Sequence, residues 1–192
     1  QLVLVMAWWL WDMGGRYSGA WTPPATVIPP LWSHLFLMLF GIFPFFIFGF
    51  LLTVYPRWMN GVTVPAGRYI GIFRLLAGGM ALYYVGLYSS MPVLALALVI
   101  QLTGWGLAVV TLITLYARAT KRGAHEKILN LALLAGMAGV ALFLHALLTG
   151  TGHSILLARS IGLWLFLVPV VFVVSHRMLP FFSSAVIPNY RV

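Results

Sequence analysis

No cysteine occurs in the 192 residues, and only two carboxylates do, Asp12 and Glu126. The first absence excludes disulfides, thiolate metal sites, iron–sulfur clusters and covalent haem attachment through CxxCH. The second removes the paired acid/base dyad on which hydrolytic chemistry rests. A Walker loop, a GxSxG elbow and an HExxH pair are missing as well. Charge is scarce altogether: 11 Lys or Arg and 2 acidic residues amount to 7% of the chain, against about 25% in soluble domains. An ordinary water-soluble fold is thereby ruled out.

What remains is apolar, with 62% hydrophobic and 15% aromatic residues. Residues 17–56, 75–117 and 128–158 carry no Asp, Glu, Lys or Arg. A membrane helix needs about 20 apolar residues, so the middle stretch holds two spans and the others one each with flanks. The fold class is all-α: a polytopic transmembrane helix bundle with its core built in lipid. We read residues 1–192 as one transmembrane domain, with a partial N-terminal helix at 1–11 and full spans at about 31–55, 69–88, 92–116, 128–149 and 155–179. Eleven helical residues rise only about 16 Å, too little to cross a bilayer. Without an initiator Met, a basic n-region or a cleavage site, that segment reads as the remnant of a helix and not as a signal peptide.

Pro23, Pro24, Pro29 and Pro30 make a loop before the first full span, because proline removes a helical donor. Pro44 should kink that span by depriving the carbonyl four residues earlier of its partner. Asn60-Gly61 and Pro65 signal a turn, and Pro92 opens the third span where a missing N–H costs nothing. Thr149 to Ser154 is expected to be a flexible turn, and Pro180 to mark the end of the last span. Ala132 with Gly136, and Ala135 with Gly139, give the fourth span a spacing that lets helices approach closely, so it should pack against a neighbour. Trp8, Trp9, Trp11, Tyr83 and Tyr84 suit interfacial belts.

The net charge of +9 does not point to nucleic acid, which needs a basic face on a soluble fold. Here the cations punctuate apolar runs. Arg57, Arg68, Arg118, Lys121, Arg122, Lys127, Arg177 and Arg191 fall on one side of the alternating spans, and Arg16 and Arg159 on the other. Because Lys and Arg gather in cytoplasmic loops, segments 57–68 and 118–127 are expected in the cytoplasm, next to anionic lipid.

Three of the five histidines coincide in depth. His34 begins the first full span on the outer side, His145 lies one turn before the outer end of the fourth, and His153 follows in the outer loop. His125 falls in the cytoplasmic loop and His176 at the inner end of the last span. An imidazole inside a helix bundle is expensive unless paired or ligated, and neutral imidazoles from two helices can hold a non-covalent haem or ligate copper. His34 and His145 are therefore the candidate cofactor ligands. Met38, one turn after His34 on the same face, offers a thioether suited to copper(I), and His153 joins the candidate metal set. The competing reading makes His34 or His145 a hydrogen-bonded interfacial side chain, His153 and His125 solvated, and Met38 a packing residue. No residue is assigned a catalytic role.

Two segments resemble a known family. Leu39-Phe40-Gly41 followed by Gly49-Phe50-Leu51-Leu52-Thr53-Val54-Tyr55-Pro56-Arg57-Trp58, and Arg177-Met178-Leu179-Pro180-Phe181-Phe182, are similar to the NnrS family over about residues 30–188. The resemblance implies a helical membrane protein containing haem and copper and linked to nitric oxide metabolism in denitrifying bacteria. In the family a His-rich motif precedes the Leu-Phe-Gly element. His34 occupies its first His position, whereas Phe36 and Leu37 replace the next His-Glu pair. His145, within Phe143-Leu144-His145, also resembles a family position near a helix end. The chain is about half the family's length, which implies either a piece of a longer protein or a half-length relative that forms an oligomer or joins other membrane subunits within the lipid bilayer.

The function expected is a membrane-embedded protein that binds haem b and/or copper, serves nitric oxide or respiratory redox metabolism, and resides in the bacterial inner membrane. The alternative is a non-catalytic structural subunit of a larger membrane complex. A transporter half would need broken helices or polar groups at the midplane, for which Pro44 alone is thin support.

Overall fold

The computed structural model describes residues 1–23, 25–59, 63–120 and 122–186. Among them helices account for all regular structure, and no strand occurs. Helix α1 is Leu2–Ser18. Five longer helices are apolar enough to cross a membrane: α2 (Pro30–Trp58), α3 (Ala66–Ser89), α4 (Met91–Arg118), α5 (Ala124–Thr149) and α6 (Gly152–Ser184). Pro24, Asn60-Gly61, Lys121 and Arg191, which the sequence assigns to loops and the tail, lie outside the described residues.

The helices outrun their apolar cores. Helix α1 continues past residue 11 to Ser18, with Arg16 bonded at 2.7 Å to Asp12 one turn earlier. Helix α5 starts at Ala124, so His125 is helical and not in a loop. Left-handed Gly150 (φ 70°) ends α5, and α6 begins at Gly152, which puts His153 in a helical turn as well. Pro180 does not end the last helix, which continues past it to at least Ser184. Proline removes one backbone donor, and a helix proceeds past it where the surroundings tolerate the freed carbonyl.

Pro44 acts as its chemistry requires, but the response is a widened turn. The backbone over Leu37–Ile42 is π-helical. The carbonyl of Phe40, whose α-helical donor would be the N–H that Pro44 lacks, instead accepts a hydrogen bond from Gln101 Nε2 at 3.1 Å. Gln101 is 1% exposed. A buried amide from α4 thus repairs a defect in α2, the kind of compensation that proline in a membrane helix demands. A second π segment, Ile161–Leu167, precedes Pro169 in α6.

Helices in lipid gain nothing from hydrophobic exclusion between themselves, so contact and hydrogen bonds must hold them. The bundle centre is a set of buried rings. Trp105 lies edge-on to Phe48 and Phe166, at centroid distances of 5.2 and 5.1 Å, and donates from Nε1 to the Leu133 carbonyl at 3.0 Å. Phe40 packs between Phe36 and Trp105. These rings enter notches on α5. A β-carbon at Gly136 would stand 2.5 Å from Trp105 and 2.8 Å from Phe166, and one at Gly139 would stand 2.7 Å from Phe40. The neighbours that the small residues of α5 accept are therefore the chain's own α2, α4 and α6.

Helix α1 rests against α2 and α3. Gln1 Nε2 donates to Tyr84 at 3.4 Å and Trp8 Nε1 to Tyr88 at 2.6 Å. The connection to α2 is pinned by the Val27 N–H, which donates to the Leu87 carbonyl at 2.9 Å. The end of the bundle where α2 and α4 finish is rich in Lys and Arg. His34 and His145 lie toward the opposite, cation-poor end.

Candidate functional site and an opposing polar cluster

At the cation-poor end, Pro30 starts α2 and brings Ser33 and His34 into its first two turns. Helix α1 delivers Trp9, whose indole stacks on the His34 ring at 3.9 Å with an interplanar angle of 19°. The Nδ1 atom of His34 is buried and has no hydrogen-bond partner. The Ser33 and Tyr83 hydroxyls, also buried, lie near each other without forming a bond of good geometry. The Tyr83 ring is stacked on Phe36 at 4.7 Å, which fixes its hydroxyl at this depth. Three unbonded polar groups therefore come from two adjacent α2 residues and the facing α3, each carrying a desolvation cost of about 1–3 kcal/mol.

His145 is treated differently. It sits on the exposed side of α5 near its end, with Nδ1 3.1 Å from Ser154 Oγ. Ser154 in turn meets Thr151 at 3.1 Å, Thr151 meets Thr149 at 2.7 Å, and Thr149 donates to the His145 carbonyl at 2.8 Å. This hydroxyl chain closes the turn between α5 and α6 and fixes the imidazole by one nitrogen, leaving Nε2 as its other donor atom. His153, in the first turn of α6, is exposed. Met38 lies in the π turn of α2, half-buried against the core. Among the described residues no three His, Asp or Glu side chains converge as a metal cluster.

The cation-rich end holds a cluster that reading by residue type passes over. Glu126, 2% exposed, is ion-paired with Arg177 of α6. The Arg177 guanidinium also covers the Trp58 ring at 4.4 Å. Asn130, one turn beyond Glu126, donates to the Tyr55 hydroxyl at 2.9 Å, and that hydroxyl reaches the Glu126 carbonyl at 3.5 Å. His125 stacks on His176 at 5.2 Å. A signal existed: Glu126 is an acidic residue amid cations beside an apolar run, and a carboxylate buried there calls for a cationic partner. Chemically the cluster is a clamp, joining the ends of α2, α5 and α6 through one ion pair, one cation–π contact and two hydrogen bonds.

The clamp draws on both segments that carry the family resemblance, Tyr55 and Trp58 from one and Arg177 from the other, and ties them to Glu126 and Asn130 of α5. A family model described as NnrS protein matches residues 1–192, the full sequence. The chain belongs to the NnrS family. No curated protein and no solved structure matches it. In this NnrS chain Trp58 and Arg177, one from each resembling segment, meet at the cation-rich end, and His34 lies toward the other end of the helix that carries Trp58.

Proposed function

We propose that this NnrS protein binds haem b through His34 and works in nitric oxide or respiratory redox metabolism in the bacterial inner membrane. Family membership supports a nitric oxide-related membrane protein. The observation that carries the cofactor is the buried, unbonded Nδ1 of His34. A native structure leaves few buried polar atoms unsatisfied, and such an atom marks a place for a ligand, an ion or water. His34 would suit as a haem-holding imidazole: its ring plane is set by Trp9, and the Ser33 and Tyr83 hydroxyls lie on the same part of α2 and the facing α3. His145 is the second ligand in this reading, because Ser154 orients its ring by Nδ1, as partners behind a ligating imidazole do. Copper fits less fully. The imidazole of His34 and the thioether of Met38 form a soft pair suited to copper(I), with His153 as the further donor, and the family's next His-Glu pair is Phe36 and Leu37 here.

A bound haem would supply an iron that takes up a diatomic gas and exchanges one electron. The chain's own part would be to fix the imidazole through the Trp9 stack, with the buried Ser33 and Tyr83 hydroxyls on the adjoining α2 and α3. The scaffold reading draws on the same Ser154 bond, which gives His145 a structural task in closing the α5–α6 turn. A visible spectrum of the purified protein separates the two. A Soret band with a sharp α band on reduction, and haem recovered on extraction, support the ligand reading; their absence after haem supplementation favours the scaffold.

A further inference from the structure

Between α2 and α3 runs a crevice of about 290 Å³, with Pro44, Phe45, Gly49, Phe73 and Leu76 on its walls. It shares Leu52, Thr53 and Tyr69 with a second hollow of about 220 Å³ that reaches Arg57 and Thr63. Together they form one groove. From Pro44 to Arg57 it follows α2 for about 20 Å at 1.5 Å per residue, which spans one leaflet of a hydrocarbon core about 30 Å thick plus part of its headgroup layer. The interior is apolar, and Thr53 turns its hydroxyl back onto the Gly49 and Phe50 carbonyls at 3.1 and 2.8 Å. At Gly49 a β-carbon would meet nothing within 4 Å. The far end is cationic: Arg57 is exposed and makes no ion pair among the described residues, with the Thr63 and Tyr69 side chains beside it.

An apolar slot one leaflet deep that ends at an exposed guanidinium, without an ion pair among the described residues, matches an amphiphile with a hydrocarbon tail and an anionic head. A peptide helix would need a broader face, and a polar solute would find no donors along the walls. Basic pockets between membrane helices on the cation-rich side bind anionic lipid headgroups. We infer that the α2–α3 groove is a binding site for a single anionic phospholipid, its acyl chain along Gly49 and Phe73 and its phosphate at Arg57. The inference is independent of the haem reading.

Native mass spectrometry of the purified protein after reconstitution in equal phosphatidylglycerol and phosphatidylcholine tests it. One phosphatidylglycerol should be retained in preference. Arg57→Gln should lower that preference about fivefold, the worth of one cation at an anionic surface, and Arg57→Lys should keep most of it. Gly49→Leu, which fills open space and leaves the helix intact by circular dichroism, should abolish retention of both lipids. Equal retention of the two lipids by the wild type, no retention at all, or undiminished retention by Gly49→Leu would each overturn the inference. Loss of helicity in Arg57→Gln would leave the decision to Gly49→Leu and Arg57→Lys.

Discussion

At the cation-rich end, Glu126 and Arg177 lie 51 residues apart in sequence and close on each other, whereas at the cation-poor end the Nδ1 of His34 is buried without a partner and the buried Ser33 and Tyr83 hydroxyls meet only loosely. The contrast is one of completeness. Glu126 Oε2 and Asn130 Oδ1 are also without partners, but in each residue another side-chain atom is bonded, and an under-used acceptor is tolerated more easily than a wholly unbonded group. In Ser33 and Tyr83 the only polar side-chain atom lacks a hydrogen bond of good geometry. A network that satisfies its members stiffens a fold, and one that does not marks where something else belongs. One end holds the helices together, and the other is where we propose that a cofactor binds.

The broadest test concerns which end faces the cytoplasm. Eight loop and tail cations against two predict that residues 57–68 and 118–127 face the cytoplasm. A phosphatase fusion at Gly123 should be inactive and a fluorescent-protein fusion there bright; the opposite pair of results would exchange the two ends.

The clamp comes next in size. Arg177→Ala leaves a buried carboxylate without its partner and should lower stability by about 3 kcal/mol or more, read as the thermal midpoint in detergent. Glu126→Gln leaves Arg177 partly exposed and able to reach headgroups, so its cost should be near 1 kcal/mol. Equal losses would remove the asymmetry on which the clamp is argued. Gly136→Leu forces a side chain against Trp105 and Phe166 and should cost about 1 to 3 kcal/mol. That loss should appear in the isolated chain, because the notch is filled from within; a defect seen only in an assembled complex would turn this face outward.

The smallest effect concerns the π turn. Gln101→Leu removes the donor to the Phe40 carbonyl and should cost about 1 kcal/mol. Combined with Pro44→Ala, which restores a backbone donor, the loss should shrink, and a double-mutant cycle measures the coupling. Strict additivity would separate Gln101 from the proline defect.

These differences track what local sequence encodes. Span number and class follow from uncharged length, because lipid enforces helices wherever some 20 apolar residues occur. Helix ends were less legible: His125, Glu126 and His153 are polar enough to read as loop, yet tertiary partners for Glu126 and a hydroxyl chain beside His153 carry helix into those positions. The proline at 44 declared a defect but not its remedy, since Gln101 lies 61 residues from the carbonyl it serves. At the candidate site, His34 was legible because a lone imidazole in an apolar run is conspicuous. Trp9, Ser33 and Tyr83 were not, being ordinary residues until the fold sets them beside it. The clamp stayed hidden because only Glu126 stands out singly, while Tyr55, Trp58, Asn130 and Arg177 gain their meaning as contacts.

The central claim, that the cation-poor end receives a cofactor while the opposite end holds the fold, meets its most direct test in haem content per chain across three variants. Purified wild type, His34→Ala, His145→Ala and His125→Ala would be compared by reduced-minus-oxidised spectra and haem extraction, with thermal midpoints measured alongside. The account predicts that His34→Ala and His145→Ala each lose most bound haem at nearly unchanged midpoint, while His125→Ala keeps its haem. Full haem occupancy in both His34→Ala and His145→Ala would contradict it and leave the scaffold as the better account.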